Sequence, residues 1–247
     1  MRSIEKTFKI KDLGEPENLL GLHVKRNKAK MALTLICSLP IKKLLQSTRA
    51  IVDHYGSYTP MSLPNKEDLV EANHEDYPNV NTIPIIGSIP YSASMCRPDL
   101  ALSASMLGSE RHSPAVAGMK NILKGLSYIG GTHDLGISAQ TEENDPLQFE
   151  ADSDSDWAGD LKISKDPTCR SRSGGVIRFA TFAVWWLTKL QSTVALSSSE
   201  AELIALSETC KRLVWLRRMF SGMGFSQGMT KVHATILPRS LLMPKVR

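Results

Sequence analysis

The acidic run Glu150-Ala-Asp152-Ser-Asp154-Ser-Asp156-Trp157 holds the densest chemistry in this 247-residue chain. In an extended segment alternate residues share a face, so Asp152, Asp154 and Asp156 can point the same way. Carboxylates that close repel one another unless a cation or a basic partner sits among them. Hard cations such as Mg²⁺ take oxygen ligands and usually keep waters. A solvated acidic loop is the simpler reading of the run, and a hard-cation site the sharper one. A calcium loop does not fit, because Trp157 and Ile163 stand where such a loop needs Gly and Glu.

A second pair, Glu200 and Glu202, opens a long helical pattern. Two residues apart on a helix, they point in different directions, so only one can face a site. Glu202 lies beside the apolar positions, and its spacing from Ser199 fits a capping box. Glu200 fits a generic acidic first turn. The remaining candidates are weaker. His112, His133 and His233 have no partner at ligand spacing and read as surface or structural. Of Trp185 and Trp186, one ring is expected to pack and the other to stay exposed. Lys211-Arg212 and Arg217-Arg218 lie on the polar face of the helix, as a solvated face or a track for a phosphate backbone. Cys37, Cys96, Cys169 and Cys210 lack zinc or redox spacing and read as reduced, packed thiols. No Gly-rich phosphate loop, GxSxG or HExxH motif is present.

The elements that must position these groups follow from periodicity. Leu147 to Ala151 alternates and reads as a strand running into the acidic turn. Gly174 to Ala180 and Ala183 to Leu187 read as a hairpin. Ser197 to Phe220 is the strongest helix, with Leu203, Leu206, Cys210, Leu213, Val214, Leu216 and Phe220 as its apolar stripe and Gly222 and Gly224 as its stop. Lys231 to Leu237 reads as a further strand, which makes an α/β order. Upstream, Leu19 to Val24 and Met31 to Ile36 suggest a hairpin with a charged loop, and Ile41 to Ile51 a helix. Residues 58–83 are rich in Pro and acidic side chains and read as a linker. Helices are expected around Asp99 to Leu107 and Ala115 to Leu126, the second closed by Gly130-Gly131.

Composition bounds the rest. Hydrophobic residues make up 42% and charged residues 22%, which excludes wholesale disorder. The net charge of +5 is uneven: +6 over residues 1–60, −11 over 61–160 and +10 over 161–247. Basic ends suit a polyanionic partner. Met1 to Asp12 is charged and unlike a signal peptide. The longest apolar stretch, Phe179 to Leu187, falls far short of the roughly 20 residues of a spanning helix. An intracellular chain, or a piece of one, is expected, with no membrane partner.

Taken together, several blocks resemble the Pol polyprotein of copia-type LTR retrotransposons, from the end of the reverse transcriptase through the RNase H domain. Phe8-Lys-Ile-Lys-Asp-Leu-Gly-Glu15 with Leu20-Gly21 is similar to "F-x-M-K-D-L-G … L-G", and Thr59-Pro60-Met61 to "T-P-M". Cys96-Arg97-Pro98-Asp99-Leu100-Ala101 resembles "T-R-P-D-I-A", and Tyr128-Ile-Gly-Gly-Thr132 resembles "Y-L-K-G-T". Asp154-Ser-Asp156-Trp157-Ala-Gly159 is similar to "D-A-D-W-A-G", and Arg172-Ser-Gly-Gly175 to "R-S-T-S-G". Gln191-Ser-Thr-Val-Ala-Leu-Ser-Ser-Ser-Glu-Ala-Glu202 is nearly "Q-x-T-V-A-L-S-S-T-E-A-E". The match runs from about residue 6 to about 224.

The resemblance implies an RNase H-like mixed sheet with packed helices, incomplete at its C-terminal end. It implies a reverse-transcriptase remnant over 1–62, a linker over 63–83, a helical connection over 84–146, the RNase H-like part over 147–234 and a divergent tail over 235–247. Asp154 would be the first-strand carboxylate and Glu202 the helix carboxylate, with Asp156 beside them, holding Mg²⁺ for hydrolysis of RNA in an RNA–DNA hybrid. Arg172, Lys189, Lys211 and Arg212 would face nucleic acid. The remainder of Pol would be a further partner, and the cytoplasm (in virus-like particles) or the nucleus the location.

The departures are equally specific. The polymerase Tyr-x-Asp-Asp box is absent. Pro90 sits in the "G-S-L-x-Y" block, and Gly125 with two extra residues is expected to disturb the next helix. The family's third carboxylate belongs to an "Asp-Asn" strand, which here reads Val232-His-Ala-Thr-Ile236, and no acidic residue follows Glu208. These residues imply a catalytically defective chain. An active Mg²⁺-dependent RNase H using Asp152 or Asp156 as stand-in, and a non-catalytic nucleic-acid-binding module, are the alternatives. Ala234-Thr-Ile236 is encodable as GCG-ACA-ATC, whose neighbouring frame reads GAC-AAT, Asp-Asn. A tail out of frame from about Thr235 is therefore expected, and codons 234–236 decide it.

Overall fold

The computed structural model describes residues 9, 11, 14–48, 56–62, 82–109, 116–142, 146–157 and 169–234. The described residues form a mixed α/β structure with two four-stranded sheets and five α-helices.

The first sheet has the order β1 (Asn18–Leu19), β2 (Leu22–Asn27), β3 (Ala32–Ile36), β4 (Gly136–Gln140), antiparallel throughout. The expected β2–β3 hairpin is present. Asn27 sets its turn, its side-chain oxygen accepting from the Lys30 amide at 3.1 Å. β4 comes from far along the chain and lays its backbone against β3, with Ile36 opposite Gly136 and Leu33 opposite Ala139. Nothing in the five residues GISAQ announces a strand, because pairing with β3 supplies what local pattern does not.

Around this sheet pack α1 (Ser38–Thr48), α2 (Thr82–Met95), a 3-10 turn (Pro98–Leu100), α3 (Ala101–Ser109) and α4 (Val116–Gly131). Leu22, Ile41, Ile85, Ile89, Ile122 and Leu126 bury into one cluster. Two departures in the sequence are accommodated here. Pro90 lies inside α2, whose burial of Ile85, Ile86 and Ile89 outweighs the lost backbone bond. Gly125 does not interrupt α4. It is buried, and a Cβ there would stand 3.4 Å from the Pro60 carbonyl oxygen. The glycine lets the Thr59-Pro60-Met61 segment lie against the helix. Asn121 fastens the same segment, accepting from the Ser62 amide at 2.8 Å and donating to the Ser62 carbonyl at 3.2 Å. Residues 63–81, the rest of the linker, fall outside the described residues.

Arg97 joins two of the resembling blocks. Its guanidinium is 1% exposed. It donates to both Asp99 carboxylate oxygens at 2.8–3.1 Å and to the Thr132 carbonyl and hydroxyl at 2.9 and 2.8 Å. The Tyr128 hydroxyl donates to Asp99 at 2.9 Å, and its ring lies 5.6 Å from the guanidinium carbon. "C-R-P-D-L-A" and "Y-I-G-G-T" are thus two halves of one polar network built on the buried Arg97.

The second sheet has the order β7 (Phe182–Leu190), β6 (Arg172–Phe179), β5 (Phe149–Ser155), β8 (Lys231–Ala234). β5, β6 and β7 form an antiparallel meander, and β8 runs parallel to β5 after α5 (Ser198–Gly222). Rings of Phe149, Phe179 and Phe220 meet at centroid distances of 4.6–5.1 Å and clamp α5 to the sheet. α5 turns a different stripe inward than its largest apolar residues suggest. Ala201, Glu202, Ala205, Thr209, Leu213 and Leu216 are buried, while Leu203 and Val214 are exposed. Small residues face β6 because the approach is close: a Cβ at Gly175 would stand 2.5 Å from the Thr209 hydroxyl. Trp186 leaves this sheet for the first core, where its indole donates to the Ala93 carbonyl at 2.7 Å. Trp185 takes the other face.

Candidate functional site

β5 ends in Asp154 and Ser155, and the first turn of α5 crosses over that end. The Ser155 amide donates to Asp154 Oδ1 at 2.9 Å and to Glu202 Oε1 at 3.3 Å. Two carboxylates from distant parts of the chain therefore share one N–H. Glu202 is 6% exposed, and its Oε2 is buried without a hydrogen-bond partner. Burial raises the Glu202 carboxyl above its ordinary value. The Ser155 amide opposes the rise, and hydrogen bonding to Asp154 with its negative charge adds to it.

Four hydrogen bonds aim Glu202. The cap of α5 is Ser197, not Ser199: its hydroxyl accepts from the Glu200 amide at 3.2 Å. Glu200 completes the motif by accepting from the Leu196 amide at 2.6 Å. Glu200 thus does the capping, and Glu202 is left to point inward. Gln191 then ties the helix start to the sheet. Its amide nitrogen donates to the Ala201 carbonyl and to the Ser173 hydroxyl, each at 2.9 Å. Gln191 opens the longest resembling block, and neither its type nor its spacing signals this role in the sequence.

The other acidic residues are engaged elsewhere. Asp152 forms a 2.7 Å ion pair with Arg178. Asp156 accepts from the Arg172 amide across β5 and β6. A cavity of about 440 Å³ opens beside Asp154, lined also by Asp152, Gly174, Thr188, His233 and Ala234. On β8, Ala234 stands opposite Ser153 and His233 opposite Asp152. Among the described residues no three His, Cys, Asp or Glu side chains gather as metal ligands. Thr235 and the tail lie outside the described residues.

The basic candidates separate. Arg172 is 6% exposed and its guanidinium donates to the Ser105 hydroxyl. Lys189, Lys211 and Arg212 are exposed and gather on the α5 side around Glu208. Lys211 bonds Glu208 at 2.9 Å, and that bond, helped by the charges of Lys189 and Arg212, holds the Glu208 carboxyl below its usual value. His133 makes a local contact to the Gly130 carbonyl. His112 lies outside the described residues. Among the described residues no helix is long and apolar enough to cross a membrane.

The raised carboxyl gives a testable pH effect. The protonated form is the one this fold favours. The stability Glu202 contributes is complete below the ordinary carboxylate value and is lost as pH rises through its raised value. Glu202→Gln should therefore raise Tm at pH 7 by about 2–4 °C, on the order of 1 kcal/mol, with the gain vanishing near pH 4. A gain of the same size at both pH values would contradict burial as the cause.

No family model and no solved structure matches the chain. Among curated proteins it is 28% identical over 229 residues to the retrovirus-related Pol polyprotein from transposon TNT 1-94 of Nicotiana tabacum, covering 91% of this chain and 17% of that protein. It is 28% identical over 218 residues to an uncharacterized mitochondrial protein of Arabidopsis thaliana, covering 86% of this chain and 83% of the relative. It is 33% identical over 138 residues to the secreted RxLR effector protein 161 of Plasmopara viticola, covering 56% of this chain and 92% of the relative. The chain thus spans about a sixth of the length of the tobacco polyprotein.

Proposed function

We propose, on the premise that this chain is a retrotransposon Pol fragment, that residues 147–234 are an RNase H-like module of the copia type that engages nucleic acid without cleaving it. One observation carries the reading: Asp154 on β5 and Glu202 on α5 converge on the Ser155 amide, and the neighbouring strand β8 brings no carboxylate to them. The central position of β5, antiparallel to β6 and parallel to β8, is consistent with that fold.

Mg²⁺ fits this donor set only in part. The orphaned Glu202 oxygen and Asp154 suit one hard cation. They do not suit the pair of ions that hybrid cleavage requires, because Asp152 is neutralised by Arg178 and Asp156 caps the Arg172 amide. No hydrolytic step is therefore assigned. The resemblance at 1–62 and 84–146 supports the same origin for the first core.

A labelled RNA–DNA hybrid incubated with the folded chain and Mg²⁺ or Mn²⁺ should remain intact, at the level of an Asp154→Asn control. Cleavage that the control abolishes would overturn the reading and make the remaining carboxylates sufficient.

A further inference from the structure

One face of the second sheet's helix carries a pattern that the carboxylates do not use. Lys211, Trp215 and Arg218 fall at i, i+4 and i+7 on α5, so they form one stripe about 10 Å long. All three are exposed, and Trp215 keeps 53% of its surface open to solvent. Arg212 stands beside the stripe with its guanidinium carbon 5.8 Å from the centroids of both Trp215 and Trp185. Lys189 projects from β7 into the same neighbourhood, where its charge reaches Glu208 together with those of Lys211 and Arg212. Glu208 is the acidic group facing the patch, and residues 161–247 as a whole carry a net charge of +10.

Cationic groups alternating with a propped, open aromatic ring answer a particular chemistry. A polyanion alone would need the charges and not the ring. A greasy protein surface would need the ring and not four cations around it. A single nucleic-acid strand offers phosphates at regular spacing and unpaired bases with open π-faces, and it satisfies both requirements. The Arg212 cation–π contact restrains Trp215 and so trims the ordering cost of stacking a base on it. The Lys211–Glu208 pair is exposed, so its exchange for a phosphate contact costs little.

We propose that the α5–β7 face formed by Lys189, Lys211, Arg212, Trp215 and Arg218 binds a single nucleic-acid strand, with a base stacked on Trp215 and phosphates on the lysines and Arg218. This rests on the nucleic-acid reading above, but on neither cleavage nor the carboxylates.

The test uses the full chain and fluorescein-labelled oligo-dT and oligo-U of about 12 nucleotides, within the usual site size of such grooves, read by anisotropy at two salt concentrations. Trp215→Leu should weaken binding about tenfold while circular dichroism and Tm stay unchanged. Lys211→Ala with Arg218→Ala should weaken it further and reduce the slope of log affinity against log salt by about 1–2. Asp154→Asn, at the carboxylate pair, should cost less affinity than Trp215→Leu. Absence of binding, or binding that Trp215→Leu leaves intact, overturns the proposal. So does a loss with Asp154→Asn equal to that with Trp215→Leu, which would put the strand at the carboxylates. Hybrid cleavage in the assay above would overturn the silent-module reading and leave this face untouched.

Discussion

Arg97→Met should cost about 3–5 kcal/mol of folding stability. The guanidinium is 1% exposed and makes five hydrogen bonds, to Asp99 and Thr132. Removing it leaves the Asp99 carboxylate beside an apolar side chain with only the Tyr128 hydroxyl to answer it. It also takes the donor from the Thr132 hydroxyl and one of two donors from the Thr132 carbonyl, which keeps the Leu135 amide at 3.1 Å. Asp99 retains 34% exposure, which places the loss toward the lower end of that range. Urea denaturation measures it. The double change Arg97→Met with Asp99→Leu should recover a large part of the loss, because no uncompensated charge then remains. A single variant within about 1 kcal/mol of the parent would mean that water enters and satisfies the network.

Gly136→Ala should cost about 2–3 kcal/mol and should act on a strand pair rather than on a helix. A Cβ at this position would stand 2.0 Å from the Leu35 carbonyl oxygen and 3.0 Å from the Ile36 Cα. Both are backbone atoms and cannot swing aside. β4 must therefore move off β3, loosening the Ile36–Gly136 and Leu35–Ile137 pairs and the burial of Ile36 and Ile137. Hydrogen exchange at the amides of residues 33–36 should accelerate along with the loss of global stability. Gly87→Ala is the control. Nothing lies within 4 Å of a Cβ there, so the helix should gain up to about 1 kcal/mol. Equal effects of the two changes would refute the steric account.

How far the sequence anticipates this structure depends on whether the cause is local. The β2–β3 hairpin, β6, β7 and α5 all carry their own periodicity, and all were legible. The convergence of Asp154 and Glu202 was legible as well, through the resembling blocks, whereas spacing alone would have left two unrelated acidic spots. What was not legible depends on distant partners. α2 tolerates Pro90 because Ile85 and Ile89 are buried against the first core. Ser197 displaces Ser199 as cap because Glu200 reaches back to the Leu196 amide, a choice three consecutive serines conceal. The inward stripe of α5 is small at Ala201, Ala205 and Thr209 because Gly175 brings β6 so near, Leu213 and Leu216 join the core further on, and Leu203 and Val214 stay outside. The Arg97 network needs four residues from two helical junctions, and no single window contains them.

The pairing of β4 with β3 sets an order of events during synthesis. Thr34 and Ser138 share a hydrogen bond across 104 positions. At roughly 5–20 residues per second, β3 waits on the order of ten seconds on the ribosome before its partner strand is made. Throughout that interval its outer edge offers unpaired amides and carbonyls to any extended chain nearby. The β5–β6–β7 meander has no such delay, because its strands follow one another along the chain. The N-terminal sheet is synthesised first but finished late, so the nascent chain depends most on holdase protection between the emergence of Ile36 and the emergence of Gln140.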